Sequence, residues 1–359
     1  AILTLSCPIR SAESELFNTW TGSEYGMTFV DVVNGFQPGE YFVVAEAIEK
    51  PQWYIMKLTN SGNSTLATSW SHTLECAAHC LLGQIFILPG DSRKFAYVSW
   101  ADNDQNIVSF AKIDETNGDF AEVIDITVKK PQTLLTFVGN STFIAVIEEG
   151  TDVTAYGVNA SLEVVAQLKN VSGSLNGLDA SPIPGTDEFY ISYLSFGDQP
   201  TILRMNSNFE VQAESTLSVM SNVATRVSMS VSNNQVAVVY PRGSPDGFPL
   251  SVSSLDLVIL DGNNLEVDFA TQITTQLNDP SLQTAFNQDG SLLAITWTGP
   301  VNPHTVIFDS NSYSIQTSFE LDLVSSSEVN FSVSCLSFDL QGSNSLVYSG
   351  SIFEFTHTA

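Results

Sequence analysis

Seven stretches of the chain share one plan: a short apolar strand, a tight turn, then a second apolar strand. The turns centre on Gly39, Asp91, Asn140, Thr186, Asn233, Asp289 and Gly342, and successive centres stand 52, 49, 46, 47, 56 and 53 residues apart. The third unit shows the plan most fully. Residues 133–138 and 142–147 flank the turn Gly139-Asn140-Ser141, and residues 153–158 and 162–168 flank Asn159-Ala160-Ser161. Runs rich in Val, Ile, Phe and Leu between such turn formers read as strands. Each unit therefore carries four strands, a to d, and buries its faces only by stacking against its neighbours.

A four-stranded repeat near fifty residues predicts an all-β fold, a seven-bladed β-propeller of four-stranded antiparallel blades. It forms one domain over residues 1–359, with blades beginning near residues 25, 83, 133, 176, 227, 282 and 335. The run Asp289-Gly290-Ser291-Leu292-Leu293-Ala294-Ile295 resembles the strand–turn–strand signature of the YVTN and lactonase-like group of seven-bladed propellers. That resemblance is architectural, covers the whole chain and carries no catalytic motif. The Trp-Asp and Gly-His marks of WD40 repeats are absent.

The last unit reads as three strands, over residues 335–340, 345–349 and 352–357, and lacks its outer strand d. An apolar strand near the N-terminus, with Ile2, Leu3 and Leu5, is available to fill that place. Filling it in cis closes the ring and removes an open edge. Filling it in a neighbouring copy builds a head-to-tail fibre.

The chain has 12 Lys plus Arg against 39 Asp plus Glu, a net charge of −27. Binding nucleic acid requires cations to neutralise phosphate, so this balance argues against it. Charged residues make up 14% of the chain, while Ser plus Thr number 74 and Asn 24. Polarity carried by hydroxyls and amides suits an extracellular protein. No apolar run is long enough for a membrane span. The chain begins with Ala rather than Met, as a mature form after signal-peptide removal, or a fragment, would.

Four cysteines, Cys7, Cys76, Cys80 and Cys335, fall at or near d-to-a crossovers on this plan. An even count in an extracellular chain suggests two disulfides. In a helical turn the Cα atoms of Cys76 and Cys80 would stand about 6 Å apart, within disulfide range. Cys7 would then pair with Cys335, although spacing alone leaves three connectivities open. A metal reading of Cys76, His79 and Cys80 matches no common zinc spacing. Five Asn-x-Ser/Thr sequons, at Asn63, Asn140, Asn159, Asn170 and Asn330, all fall in expected turns or crossovers, where a glycan fits.

No nucleophile elbow, phosphate-binding loop or zincin helix occurs. Residues 102–106 resemble the start of a calcium loop, but Ile107 and Ile113 replace its required Gly and Glu. They read instead as a polar b–c turn. His304 reads as a loop histidine. Residues 241–254 form the longest b–c loop, and Phe248 and Leu250 at its tip would offer an apolar handle to a protein partner. A second loop, residues 298–304, lies on the next blade.

Two functions follow. The first is a secreted, non-enzymatic scaffold or binding protein without a cofactor, engaging a protein partner or itself, with an extracellular assembly or fibre as one setting. The second, which the lactonase-like resemblance implies, is a hydrolase with a metal ion such as calcium held by carboxylates and amides in the central channel.

Overall fold

The computed structural model describes residues 2–7, 18–21, 27–37, 39–47, 52–60, 66–75, 80–87, 95–139, 142–149, 152–172, 178–195, 199–217, 227–232, 234–242, 252–277, 282–298, 303–320, 329–338 and 346–354. The regular elements among them are strands: β1 (Ile2–Cys7) and β2 (Asn18–Thr21), followed by six runs of four and a final pair. The first sheet holds β3 (Met27–Asn34), β4 (Glu40–Ala47), β5 (Gln52–Asn60) and β6 (Leu66–Glu75). The second holds β7 (Cys80–Ile87), β8 (Phe95–Asp102), β9 (Ile107–Asp114) and β10 (Phe120–Thr127). The third holds β11 (Pro131–Val138), β12 (Thr142–Glu149), β13 (Asp152–Asn159) and β14 (Val164–Ser172). The fourth holds β15 (Asp179–Pro182), β16 (Phe189–Ser195), β17 (Gln199–Met205) and β18 (Val211–Thr216). The fifth holds β19 (Ser228–Val231), β20 (Gln235–Arg242), β21 (Val252–Asp261) and β22 (Val267–Leu277). The sixth holds β23 (Leu282–Phe286), β24 (Leu292–Thr298), β25 (Pro303–Asp309) and β26 (Ser314–Glu320). The final pair is β27 (Val329–Phe338) and β28 (Leu346–Glu354).

Within each of the six complete sheets, consecutive strands pair antiparallel in chain order. The first strand of each sheet touches the first strand of the next, β3 to β7, β11, β15, β19, β23 and β27, and β27 touches β3 again. The sheets therefore radiate from a ring of inner strands.

The last sheet differs from the expectation. Its order is β27, β28, β1, β2, so two strands come from each end of the chain. Residues 345–349 and 352–357 were expected to form separate strands, yet β28 runs unbroken from Leu346 to Glu354. Gly350 and Ser351 do not turn the chain, because they stay in register with Val333 and Ser332 of β27. The N-terminal strand β1 thus takes the third place, beside β28, and β2 takes the outer one.

Packing between sheets follows from strand alternation. One core joins Phe42, Val44 and Ile55 of the first sheet to Ala96, Val98 and Ile113 of the second. Another joins Tyr97 and Phe110 of the second to Phe143 and Tyr156 of the third. The same arrangement recurs between the third and fourth, fourth and fifth, and fifth and sixth sheets.

A repeated turn locks these interfaces. The c–d turns of the second to sixth sheets begin at Asp114, Asn159, Asn206, Asp261 and Asp309. Each side-chain Oδ1 accepts a backbone N–H two residues on, as at Asn159 to Ser161 (2.9 Å) and Asp309 to Asn311 (2.9 Å). Near the end of each turn a residue adopts positive φ: Gly118 (79°), Leu162 (57°), Phe209 (62°), Leu265 (59°) and Tyr313 (53°). This backbone costs a non-glycine residue about 1–2 kcal/mol. Leu162, Phe209 and Leu265 are nonetheless almost fully buried, each in the core shared with the preceding sheet. Burying such a side chain gains about 1.5–3 kcal/mol, enough to offset the strain. In the second sheet Gly118 takes the position, and Trp70 of the first sheet covers it while donating its indole N–H to Glu115 O (2.8 Å).

Polar links reinforce the same joints. Tyr190 of the fourth sheet donates to Gly262 O in the turn of the fifth. Burial of that phenol, the largest cause, pushes its pKa up to about 12. Arg204 donates to Asn263 O (3.1 Å) and pairs with Glu188 (3.0 Å).

Two consequences are measurable. A Cβ on Gly157 would stand 2.9 Å from the ring of Phe209, which packs edge-on against Phe189 at 5.0 Å. Gly157→Ala should therefore cost about 1–3 kcal/mol by overpacking, read as a fall in midpoint on denaturant unfolding. Leu265→Gly should also destabilise, since loss of the plug (about 2–5 kcal/mol) exceeds the strain relieved.

The second concerns acid. Hydrogen bonds from Thr116 hold the Asp114 carboxyl below its usual range, those from Ser291 hold Asp289, and those led by Ser312 hold Asp309. A depressed carboxyl stabilises the fold above its unfolded pKa, near 3.9, and that contribution is lost as pH falls through the lower folded value. Replacing the three with Asn keeps the amide oxygen as acceptor and removes the titration. Thermal midpoints of the triple variant should fall less steeply than the parent's below about pH 4.

Candidate inter-sheet binding clefts

Each of four sheets ends its b strand, away from the c–d turns, in a row of three residues spread across b, c and d. In the sixth sheet Trp297 pairs with His304, and His304 with Glu320. In the fifth the row is Tyr240, Asp256 and Gln272. In the fourth it is Tyr193, Thr201 and Thr216, and in the second Trp100, Ser109 and Asp125. An aromatic side chain thus recurs on the b strand, with polar groups on c and d.

Two of these rows open clefts against the outer strand of the preceding sheet. The larger, about 510 Å³, lies between β22 and the sixth sheet. Its walls include Gln272, Ile273, Trp297, His304, Phe319 and Glu320. The second, about 480 Å³, lies between β18 and the fifth sheet, with Thr216, Tyr240, Asp256 and Gln272 among its walls. Both volumes suit a small ligand. Gln272 borders both clefts.

In the larger cleft the Trp297 and His304 rings stack at 5.8 Å with planes 12° apart. His304 Nε2 stands 3.8 Å from a Glu320 carboxylate oxygen. Trp297 is 5% exposed, and its indole N–H has no acceptor among the described residues. Gln272 donates to Ser254 Oγ at 2.7 Å, which fixes its amide.

Sequence reasoning missed this site. His304 was expected in a loop, but β25 begins at Pro303 and carries it as a strand residue. Trp297, His304 and Glu320 come from three strands and form no local motif. The one legible signal was the pair of b–c loops expected over residues 241–254 and 298–304, at whose ends stand Tyr240, Asp256, Trp297 and His304.

Several expected site residues fall elsewhere. Phe248, Leu250, Cys76, Asn63 and Asn140 lie outside the described residues. Ile2, Leu3 and Leu5 belong to β1. Asn159 sits in a c–d turn, its Nδ2 donating to Glu163 Oε2 at 3.0 Å. Two sequons lie in strands rather than turns. Asn330 pairs with Phe353 in β27, and Asn170 occupies the irregularity where β14 leaves register with β13. A bulge there explains the turn-like composition. Cys335 lies inside β27 opposite Ser349, not at a crossover, while Cys7 faces Leu346. Two strand spacings and three residues of rise then separate Cys7 from Cys335 by about 14 Å, beyond disulfide reach in this register. At residues 102–105, Asp102 Oδ1 accepts from Asp104 N (2.9 Å) and Gln105 N (3.0 Å), forming a polar turn.

On the inner strands, Asp179 Oδ2 accepts from Met229 N of the next sheet at 2.7 Å. Ser230 Oγ likewise accepts from Phe286 N at 2.9 Å. Among the described residues no group of three or more His, Cys, Asp or Glu is placed to hold a metal ion, and no helix is long and apolar enough to cross a membrane.

No protein-family model matches the chain, and no curated protein matches it. Solved structures do. The Dos1 propeller matches with a TM-score of 0.58 at 12% identity, over 93% of this chain and 82% of that one. The fold is a β-propeller. The Neurospora crassa Pan2 WD40 domain matches this propeller with a TM-score of 0.57 at 9% identity, over 92% and 91% of the two chains. A point mutant of the Aleuria aurantia lectin, in complex with alpha-methyl-L-fucoside, matches with a TM-score of 0.51 at 13% identity, over 82% and 95%. At these identities the likeness is one of fold.

Proposed function

We propose that this propeller is a secreted, non-enzymatic binding protein, a rigid ring that presents clefts and loops to a partner. One observation carries the reading: two neighbouring clefts occupy equivalent places on successive blades and share Gln272. The latched c–d turns on the opposite face keep the cleft walls fixed, so little conformational freedom is lost on binding. The loops expected to meet a partner, residues 241–254 with Phe248 and Leu250 and residues 298–304, adjoin strands that line these clefts. Some propellers of similar fold bind small ligands, as the fucoside-bound lectin does, but the reading here rests on the clefts.

Seven blades closed in cis by β1 and β2 complete the proposal, with the pairing of β1 to β28 as its support. An extracellular route is supported by the hydroxyl-rich, cation-poor composition. It brings with it a Cys76–Cys80 disulfide and glycans at turn sequons such as Asn63, Asn140 and Asn159.

Expression through a eukaryotic secretory route should give a mass that falls on N-glycosidase treatment and a non-reduced peptide map linking Cys76 to Cys80. Reduced cysteines and an unchanged mass would remove the extracellular reading. Assays on lactones and esters with added calcium should show no turnover; chelator-sensitive turnover would favour the hydrolase instead. Deleting residues 1–21 should lower the thermal midpoint and produce concentration-dependent association in light scattering. A deletion variant as stable and monomeric as the parent would overturn closure in cis.

A further inference from the structure

We infer that the cleft between the fifth and sixth sheets is a site for a neutral saccharide, an inference that rests on the binding-protein reading above. Trp297 is 5% exposed, lines the cleft, and its indole N–H meets no acceptor among the described residues. A buried donor left unpaired costs about 1–3 kcal/mol, so such groups are rare and call for a partner. The side chain stacked on the indole is His304. It is one-third exposed and is approached by Glu320 at 3.8 Å. A sugar hydroxyl that reaches the indole edge from the cleft would give that N–H its acceptor.

The remaining walls select the class of ligand. The described residues lining this cleft include no Lys or Arg, and Glu320 contributes a carboxylate. In a chain of net charge −27, an anionic ligand would meet repulsion with no cation to offset it. The polar groups are instead a donor at Trp297, an acceptor at Glu320, and donor–acceptor pairs at Gln272 and Ser318. A hydroxyl both donates and accepts, so a polyol matches this mixture where a purely accepting or purely donating ligand does not. Ile273, Ile315 and Phe319 offer apolar surface to the C–H face of a pyranose ring. A volume of about 510 Å³ accommodates one or two sugar units.

The test is titration of the full chain with methyl glycosides of the common neutral hexoses, 6-deoxyhexoses and pentoses, followed by calorimetry and tryptophan fluorescence. N-acetylneuraminic acid and a sulfated disaccharide form the anionic arm, and tetramethylammonium the cationic arm. At least one neutral glycoside should bind and change the fluorescence. Trp297→Phe should abolish the fluorescence change and weaken binding about tenfold, the loss of one hydrogen bond of about 1.4 kcal/mol. Glu320→Gln, on the cleft rim and half exposed, should weaken it without altering the thermal midpoint. Glu163→Gln, exposed in the c–d turn of the third sheet, should leave this binding unchanged. The inference is overturned if no neutral glycoside binds at millimolar concentration, if binding is indifferent to both cleft variants, or if the anions or tetramethylammonium bind more tightly. The wider binding reading has its own readout, since a protein partner bound through residues 243–251 and lost on Phe248→Ala would survive each of those failures.

Discussion

Everything else in this propeller depends on how each sheet is fastened to the one before it. Radiating sheets diverge, and apolar contact between their faces is non-directional, so on its own it fixes neither angle nor register. The c–d turn supplies the missing constraint. An Asp or Asn at its start organises the backbone, and a residue of positive φ near its end faces the preceding sheet. Leu162, Phe209 and Leu265 accept strained backbone because the same strain aims them into the neighbouring core. Where glycine stands instead, at Gly118, the preceding sheet returns the contact with Trp70. Turn and plug thus act as one device, and it fastens the sheets on one face of the ring.

The clefts are the counterpart of that device on the other face. Between the first and second sheets the outer wedge is filled by rings: His72 lies 4.5 Å from Phe120, and Trp100 6.1 Å from it. Between the fourth, fifth and sixth sheets the corresponding outer-strand residues are Thr216, Gln272 and Glu320. They are too polar to pack a wedge dry, so the gap stays open to solvent. The buried aromatic of the b strand then becomes the floor of a cleft rather than the centre of a core.

The repeat was legible because its punctuation is local. Gly39, Thr186 and Asp289 each mark a hairpin that the structure shows, between β3 and β4, β15 and β16, and β23 and β24. The latch was also present in sequence, in Asn159-Ala160-Ser161-Leu162-Glu163 and again in Asn206-Ser207-Asn208-Phe209-Glu210. An apolar residue inside a polar turn, followed by an acid, was its sign. The cleft was not legible, because cross-strand pairing assembles Trp297, His304 and Glu320 from three strands. Nor was the composition of the last sheet. Gly350-Ser351 resembles a break, and only the pairing with Val333 and Ser332 shows that the strand runs through it.

That last sheet also sets the terms of assembly. In the other six sheets all four strands come from one continuous stretch of chain, and their pairing is a local event. Here β27 and β28 must find β1 and β2 across the whole sequence, so this sheet pays the largest loop-closure entropy, although the cost rises only logarithmically with length. Until it forms, β28 presents an unpaired edge, which is a template for another strand. The chain's own β1 is present at the high effective concentration of a tethered segment, whereas a neighbour's β1 competes only as its concentration rises. On the closure in cis proposed above, dilution therefore favours the intact ring.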